Sequence, residues 1–512
     1  MEFVVFVCGA AVMILEMVGS RVVAPYLGTS IVVWTSLIGV ILAAMSAGYW
    51  CGGALSDRRP EPRTLSFVVF LAACATAAAG IFATPALLAI QLVTQDLRIG
   101  SVVSSAVLFG LPTFFLGMVL PYSVRLRTHG LADTGRTAGA LCALSTVGSI
   151  AGTFLGGFVL VAHFGTVRII AFVALLLLVV SLVAWRERPR LKAAAVGLLV
   201  LVGLAADAAA SAWMGPTFHD ISTPYSRVWV YDKSRPSDGR PIRSMQISDE
   251  MSSAMFLDGD DLVLNYSRFY RLAAHFKPGL KEALMIGGGA LCYPRDYLRS
   301  FPDARMDVVE IDPKLTAVAR ELFGFRDDPR LRVVHEDGRT FLNRNRREYD
   351  VIFLDAYRSI YSVPYQLTTV EAVRKMHKGL KPDGVLIANF ISAIEGDNGL
   401  FLRAEAATMK SVFSQVYLFP VDDPENAEKA QNVVLVALKS PDRPRFYSED
   451  RELNACLRHL WIKEVKADVP VLTDDFAPVD AYIARILARG VKTPNPLRDK
   501  FKAWVKKERL GR

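Results

Sequence analysis

The distribution of apolar positions changes character once along the chain. From the N-terminus to about residue 214 the apolar residues come in long runs. Seven of these, roughly 3–20, 31–55, 65–93, 101–121, 138–162, 166–185 and 193–214, approach or exceed the twenty or so residues a bilayer crossing needs. Beyond Pro216 the runs shorten and alternate with polar, helix-compatible stretches. Residues 225–232 and 243–257 read as strands separated by a polar turn at 234–241. From Ala283 onward, strands expected at 283–286, 306–310, 331–334, 351–354 and 385–389 alternate with helices, the pattern of a mostly parallel, doubly wound sheet. The expected architecture is an N-terminal α-helical transmembrane bundle (1–214), a small β-rich segment (215–280) and a C-terminal α/β Rossmann-like domain (281–512).

Charge refines this picture. The formal net charge is +9, but the basic residues gather in loops between apolar runs: Arg58, Arg59 and Arg63; Arg125, Arg127 and Arg136; Arg186, Arg188, Arg190 and Lys192. Positive-inside placement accounts for these clusters, so no nucleic-acid partner is expected. It also puts the N-terminus in the cytoplasm and makes the chain a multi-pass protein of the cell membrane. Six crossings would keep the C-terminal domain cytoplasmic and seven would place it outside. The Ala-rich run 193–214, which contains Asp207, decides between them, and the side stays open. Glu16 puts a carboxylate inside the first run with Arg21 five residues on, as a structural contact or as part of a substrate path. Gly48 with Gly52, and Gly152 with Gly156, have the spacing of close helix packing. The six cysteines show no zinc or redox spacing, and no metal is expected.

The chemistry concentrates in Ala283–Pro313. A short apolar run ends in Gly287, Gly288 and Gly289, a helix-compatible stretch follows, and a second apolar run ends in Glu310. Glycines let the backbone turn sharply and approach a ligand, and an acid at the end of the next strand can accept hydrogen bonds from ribose hydroxyls. Asp312 is a candidate N-cap and Pro313 suits the first helical position. Cys292 stands where G-x-G-x-x-G needs its last glycine, which favours a nucleoside over a dinucleotide. Asp337 and Asp355 close the next strands, so three acids converge on one crevice. Asp337 before Gly338 suits either an Asx turn or a bond to an adenine amino group.

The motifs LDG at 257–259, IGGG at 286–289, VVEID at 308–312, EDG at 336–338 and YDVIFLDA at 349–356 resemble, in order and spacing, those of spermidine synthases, the polyamine aminopropyltransferases. With TDDFAPVD at 473–480, the whole chain is similar to membrane-fused spermidine synthase-like proteins. The resemblance implies a methyltransferase-type Rossmann-like fold and a homodimer. It implies Gly287, Gly288, Gly289 and Glu310 around the nucleoside, with Asp337 and Gly338 at the adenine end. Asp355 would be the catalytic proton acceptor, and decarboxylated S-adenosylmethionine the co-substrate. The sequence departs from the family's GGGDG at Ala290 and from its D-x-x-D at Arg358. Tyr270 is retained in the substrate region, but Arg271-Leu272 follows it in place of His-Glu or Gln-Glu. Asp474 and Asp475 are candidate replacement carboxylates for the substrate. Arg295 and Arg358 suit an anionic group such as the carboxylate of ordinary S-adenosylmethionine.

The expected function is a membrane-bound transferase moving an aminopropyl or methyl group from decarboxylated or ordinary S-adenosylmethionine to a small-molecule amine or a lipid-like acceptor. The alternative is a transporter or sensor whose soluble domain binds a nucleoside or polyamine without catalysis. GGALSDRR at 52–59, which resembles a loop of major-facilitator transporters, favours that alternative.

Overall fold

The computed structural model describes residues 1–512 except 95, 129, 131–132, 186–187, 249, 357–362, 489–494, 501 and 504–512. It divides into two compact units, Met1–Val228 with the residues from Asn495 onward, and Trp229–Pro494.

The first unit contains α1 (Glu2–Leu27), α2 (Ile31–Arg58), α3 (Pro62–Val93), α4 (Leu97–Arg127), α5 (Thr134–His163), α6 (Thr166–Ala184) and α7 (Pro189–Met214), each long and apolar enough to cross a membrane. Their ends follow local rules. Proline opens α3 and α7, where a missing N–H costs no helical bond. Asp96 caps α4 by accepting from the N–H groups of Arg98 and Ile99.

Small residues let the helices approach closely. A Cβ on Gly148 of α5 would lie 2.0 Å from the Phe6 carbonyl oxygen of α1, and one on Gly48 of α2 would lie 2.2 Å from that of Phe114 in α4. Gly152 and Gly52 make similar contacts one turn on, whereas a Cβ on Gly156 would meet nothing closer than 3.6 Å. Arg21, expected beside Glu16, donates to the carbonyls of Thr223 and Pro224. The buried Lys192 donates to the hydroxyls of Ser66 (2.6 Å) and Ser181 (3.2 Å). A short strand, β1 (His219–Ser222), follows α7. Asn495 donates to the carbonyl of Pro25 (3.4 Å), so the chain rejoins this unit beyond the second one, which the sequence reading carried to residue 512.

The second unit contains β2 (Arg227–Ser234) from Trp229 on, then β3 (Pro241–Ile247) and β4 (Glu250–Phe256), side by side, with Ile247 opposite Glu250 where β3 and β4 meet. Helices α8 (Asn265–Phe269) and α9 (Leu272–Phe276) lead into β5 (Glu282–Ile286), α10 (Cys292–Ser300), β6 (Arg305–Glu310), α11 (Pro313–Leu322) and β7 (Leu331–His335). Then come α12 (Gly338–Arg344), β8 (Tyr349–Leu354), α13 (Val370–Lys378), β9 (Leu380–Ser392), α14 (Leu400–Lys410), β10 (Gln415–Pro420), β11 (Gln431–Leu438), α15 (Arg451–Leu457) and α16 (Val479–Ala488).

The seven-stranded sheet runs β10-β11-β9-β8-β5-β6-β7. Strands β9, β8, β5, β6 and β7 are parallel, and the pair β11 and β10 adds an antiparallel edge. This is a Rossmann-like, methyltransferase-type arrangement. Its strand order reverses between β5 and β8, and ligands of such sheets sit beyond the carboxyl ends of the strands at that point. Acids at the other end are structural. Asp350 is buried and accepts from the N–H groups of Lys281 and Glu282, both at 2.9 Å, and from Lys381 Nζ at 2.9 Å.

Replacing Gly148 by leucine forces side-chain atoms into the α1 backbone. We expect Gly148→Leu to cost about 1–3 kcal/mol or more, read as a lower unfolding temperature in detergent, while Gly53→Ala, where a Cβ meets nothing within 4 Å, leaves it unchanged.

Candidate active site

Where β5 ends, the backbone turns at Gly287 (φ 91°) and again at Gly289 (φ 51°), conformations that favour glycine. Space demands glycine as well. A Cβ on Gly287 would lie 2.2 Å from the carbonyl oxygen of Asp355, and one on Gly289 would lie 2.6 Å from Ser253 Oγ. Leu291 is also left-handed (φ 57°), at the N-cap of α10. That conformation costs a non-glycine residue about 1–2 kcal/mol. Burial of its side chain, 1% exposed, offsets the cost by roughly 2 kcal/mol.

Glu310, at the end of β6, lies under this turn. Its Oε2 accepts from the N–H groups of Gly288 (3.0 Å) and Gly289 (3.1 Å), and Oε1 from that of Asp312 (3.0 Å). Burial holds the carboxyl above its ordinary value, although the three N–H bonds pull it down. A carboxylate offers about four acceptor directions, so about one remains. Asp312 caps α11 by accepting from Lys314 N–H. At the end of β7, Asp337 caps α12, accepting from Thr340 N–H at 2.9 Å.

Asp355 follows β8, and its N–H donates to the Ile286 carbonyl at 2.9 Å, which sets it against the glycine turn. Its carboxylate faces a cavity of about 60 Å³ formed by the glycine turn, β4, Tyr266, Cys292 and Tyr293. The Tyr266 hydroxyl donates to Oδ2 at 3.3 Å. Burial pushes the Asp355 carboxyl up to about 6, against hydrogen bonds from Tyr270, Asn389 and Tyr266 that lower it. The burial comes from an aromatic floor: Tyr270 and Tyr293 lie 4.9 Å apart between ring centroids, and Tyr293 and Phe353 lie 5.0 Å apart. Burial also lifts the Cys292 thiol to about 11, so it stays neutral. Among the described residues the lining has two acids, Glu250 and Asp355, and no lysine, arginine or histidine. Among them, too, no group of three His, Cys, Asp or Glu side chains is placed to hold a metal ion.

The sequence places the three acids Glu310, Asp337 and Asp355 at one crevice, and the structure separates the candidate residues. Gly287, Gly288, Gly289 and Asp355 line the cavity; Glu310 supports the glycine turn from beneath, and Asp337 and Gly338 start α12 at the same sheet edge. Tyr270 is fully buried under Asp355, so it positions the carboxylate. Asp474 is not a replacement carboxylate in the cavity. It accepts from Arg339 and from the Thr369 hydroxyl, both at 2.6 Å, and Asp475 is exposed outside the lining. Arg295 donates to the Phe323 carbonyl at 2.9 Å and lies outside the lining. Arg271 pairs with Asp296 and Glu452. Arg358 lies outside the described residues. The sequence reading missed Tyr266, Glu250, Ser253 and Asn389. Only Tyr266 carried a signal, standing one helical turn before Tyr270.

Residues 249–441 match the family described as Spermine/spermidine synthase domain. The chain carries a spermidine synthase-like domain. The matched stretch contains the glycine turn, Glu310 and Asp355, and leaves the first unit outside it. A polyamine aminopropyltransferase of Vibrio vulnificus is 29% identical over 231 residues, 42% of this chain and 74% of that one. Polyamine aminopropyltransferase 2 of Pseudomonas aeruginosa is 31% identical over 205 residues, 38% of this chain and 57% of that one. The crystal structure of a probable spermidine synthase from Corynebacterium glutamicum is 23% identical, with a TM-score of 0.38, and covers 52% of this chain and 92% of that one.

In this spermidine synthase-like domain Gly287→Ala drives a methyl group into the Asp355 carbonyl. We expect Gly287→Ala to cost about 1–3 kcal/mol of stability, read as a lower unfolding temperature in detergent.

Proposed function

We propose that the second unit transfers an aminopropyl group from decarboxylated S-adenosylmethionine to an amine. The observation that carries this reading is the charge of the cavity: Glu250 and Asp355, with no cation among the described lining residues. Both substrates of aminopropyl transfer are cations. Ordinary S-adenosylmethionine would bring a carboxylate toward two others in a poorly solvated cleft, which like-charge repulsion disfavours. The matched relatives' names point to the same reaction.

The glycine turn would cradle the donor, Glu310 would take a ribose hydroxyl with its remaining acceptor direction, and Asp337 and Gly338 would flank the adenine. The amine nitrogen attacks the methylene carbon next to the sulfonium. A C–N bond forms, the C–S bond breaks with its electron pair going to sulfur, and methylthioadenosine leaves. The proton lost by nitrogen passes to Asp355. Little else is required of the protein than alignment and one proton transfer. The seven long apolar helices support a membrane-bound form of this enzyme, and a homodimer follows from the resemblance alone.

Purified full-length protein given decarboxylated S-adenosylmethionine and a diamine should yield methylthioadenosine and an aminopropylated amine by mass spectrometry. S-adenosylhomocysteine and a methylated amine, formed from ordinary S-adenosylmethionine, would overturn the reading. The working base is the unprotonated carboxylate, so kcat should fall as pH drops through about 6. Tyr270→Phe removes a hydrogen bond that lowers the Asp355 value, and should move that midpoint upward. Asp355→Asn should lower kcat by about 10²–10⁴.

A further inference from the structure

The turn at 472–476 lies beyond residues 249–441, outside the stretch that matches the family, yet it is bound closely to the elements that follow β7 and β8. Leu472 is fully buried; its N–H donates to the Thr408 hydroxyl of α14 (3.0 Å), and its carbonyl accepts from Val370 N–H (2.8 Å). Asp474 then makes three contacts. Its carboxylate accepts from Arg339 of α12 and from the Thr369 hydroxyl, both at 2.6 Å, and its N–H donates to Glu371 of α13 at 3.0 Å. Arg339 also donates to the Gln366 carbonyl (3.0 Å) and to the Thr369 hydroxyl (3.1 Å). One ion pair thus joins the first turn of α12, the segment 365–369, the start of α13 and the turn at 472–476.

What this pair holds in place leads back to the site. A Cβ on Gly338 would lie 3.4 Å from Leu367 Cδ1 and 2.7 Å from Ile286 Cγ2, so Gly338 is wedged between the segment 365–369 and the last residue of β5. Ile286 in turn precedes the glycine turn, and its carbonyl accepts from the Asp355 N–H. A half-exposed ion pair standing alone contributes little. This one, with Arg339 16% and Asp474 48% exposed, also engages a hydroxyl and a backbone carbonyl, and it ties together residues 135 positions apart. We infer that Asp474 and Arg339 are positioning residues for the donor: their clasp holds Leu367 against Gly338 and so sets Asp337 and Gly338 at the adenine end. Neither side chain touches the reacting atoms. This rests on the nucleoside-donor reading above. Opening the clasp weakens donor binding and spares the chemistry at Asp355.

The test uses full-length protein in detergent, with Asp474→Ala, Arg339→Ala and the double variant, and Asp475→Asn, an exposed neighbour in the same turn, as control. Methylthioadenosine affinity is measured calorimetrically well below the unfolding temperature, and donor KM and kcat with decarboxylated S-adenosylmethionine and a diamine. Each single variant should weaken methylthioadenosine binding and raise donor KM by about fivefold or more, the scale of one charge-assisted hydrogen bond, with kcat within about twofold. The double variant should lose no more than the worse single one, because the two side chains act as a unit. Asp474→Glu, which keeps the charge, should recover part of the loss, and the control should match wild type. Asp474→Asn carries the same test where an alanine variant fails to fold. A lower unfolding temperature with affinity changed by less than about fivefold, or losses that add in the double variant, overturns the assignment alone. Failure of wild type to bind methylthioadenosine overturns the nucleoside reading beneath it.

Discussion

Three backbone N–H groups, those of Gly288, Gly289 and Asp312, converge on the carboxylate of Glu310, and the shape of the cavity depends on that convergence. The carboxylate is 6% exposed, so without these donors it would be a buried charge with no compensation. With them it ties the end of β6 to the turn after β5. The turn in turn accommodates the Asp355 backbone on one side and Ser253 on the other, at distances only glycine permits. One carboxylate therefore sets the relative positions of the glycine turn, Asp355 and the hairpin that brings Glu250.

Burial then divides the acids by role. Asp350, at the amino end of the central strand β8, is surrounded by N–H groups and a lysine, and its carboxyl falls below the ordinary value despite burial. Asp355 sits on aromatic rings, and its carboxyl rises to about 6. The first is a fixed anion holding strands together. The second can exchange a proton near neutral pH, which is what the proposed amine transfer would require of it.

Much of this was legible in the chain. The long apolar runs marked the seven helices, because an apolar stretch of that length has few other stable fates. The alternation of short apolar runs with helical stretches pointed to the parallel sheet, and Gly287 to Gly289, Glu310 and Asp355 were visible as a glycine turn and strand-terminal acids. The antiparallel pair β10 and β11 escaped, because a continuously apolar run such as 433–438, buried on both faces, has no period to read. Asp474 illustrates a different limit. An acidic pair looks the same in sequence whether it faces a ligand or, as here, Arg339 and Thr369. Glu250 lay beyond reach for the opposite reason: it adjoins the glycine turn only through the pairing of β3 and β4 and the bond from Ala290 to Ser253.

The central claim is that a cavity with two carboxylates and no described cation is built for a cationic nucleoside donor. The most direct test is a calorimetric comparison of decarboxylated and ordinary S-adenosylmethionine on the full-length protein at pH 7.5. The account predicts that the decarboxylated form binds at least about tenfold tighter, a difference of ~1.4 kcal/mol. Equal binding, or a preference for the form that keeps its carboxylate, would contradict it.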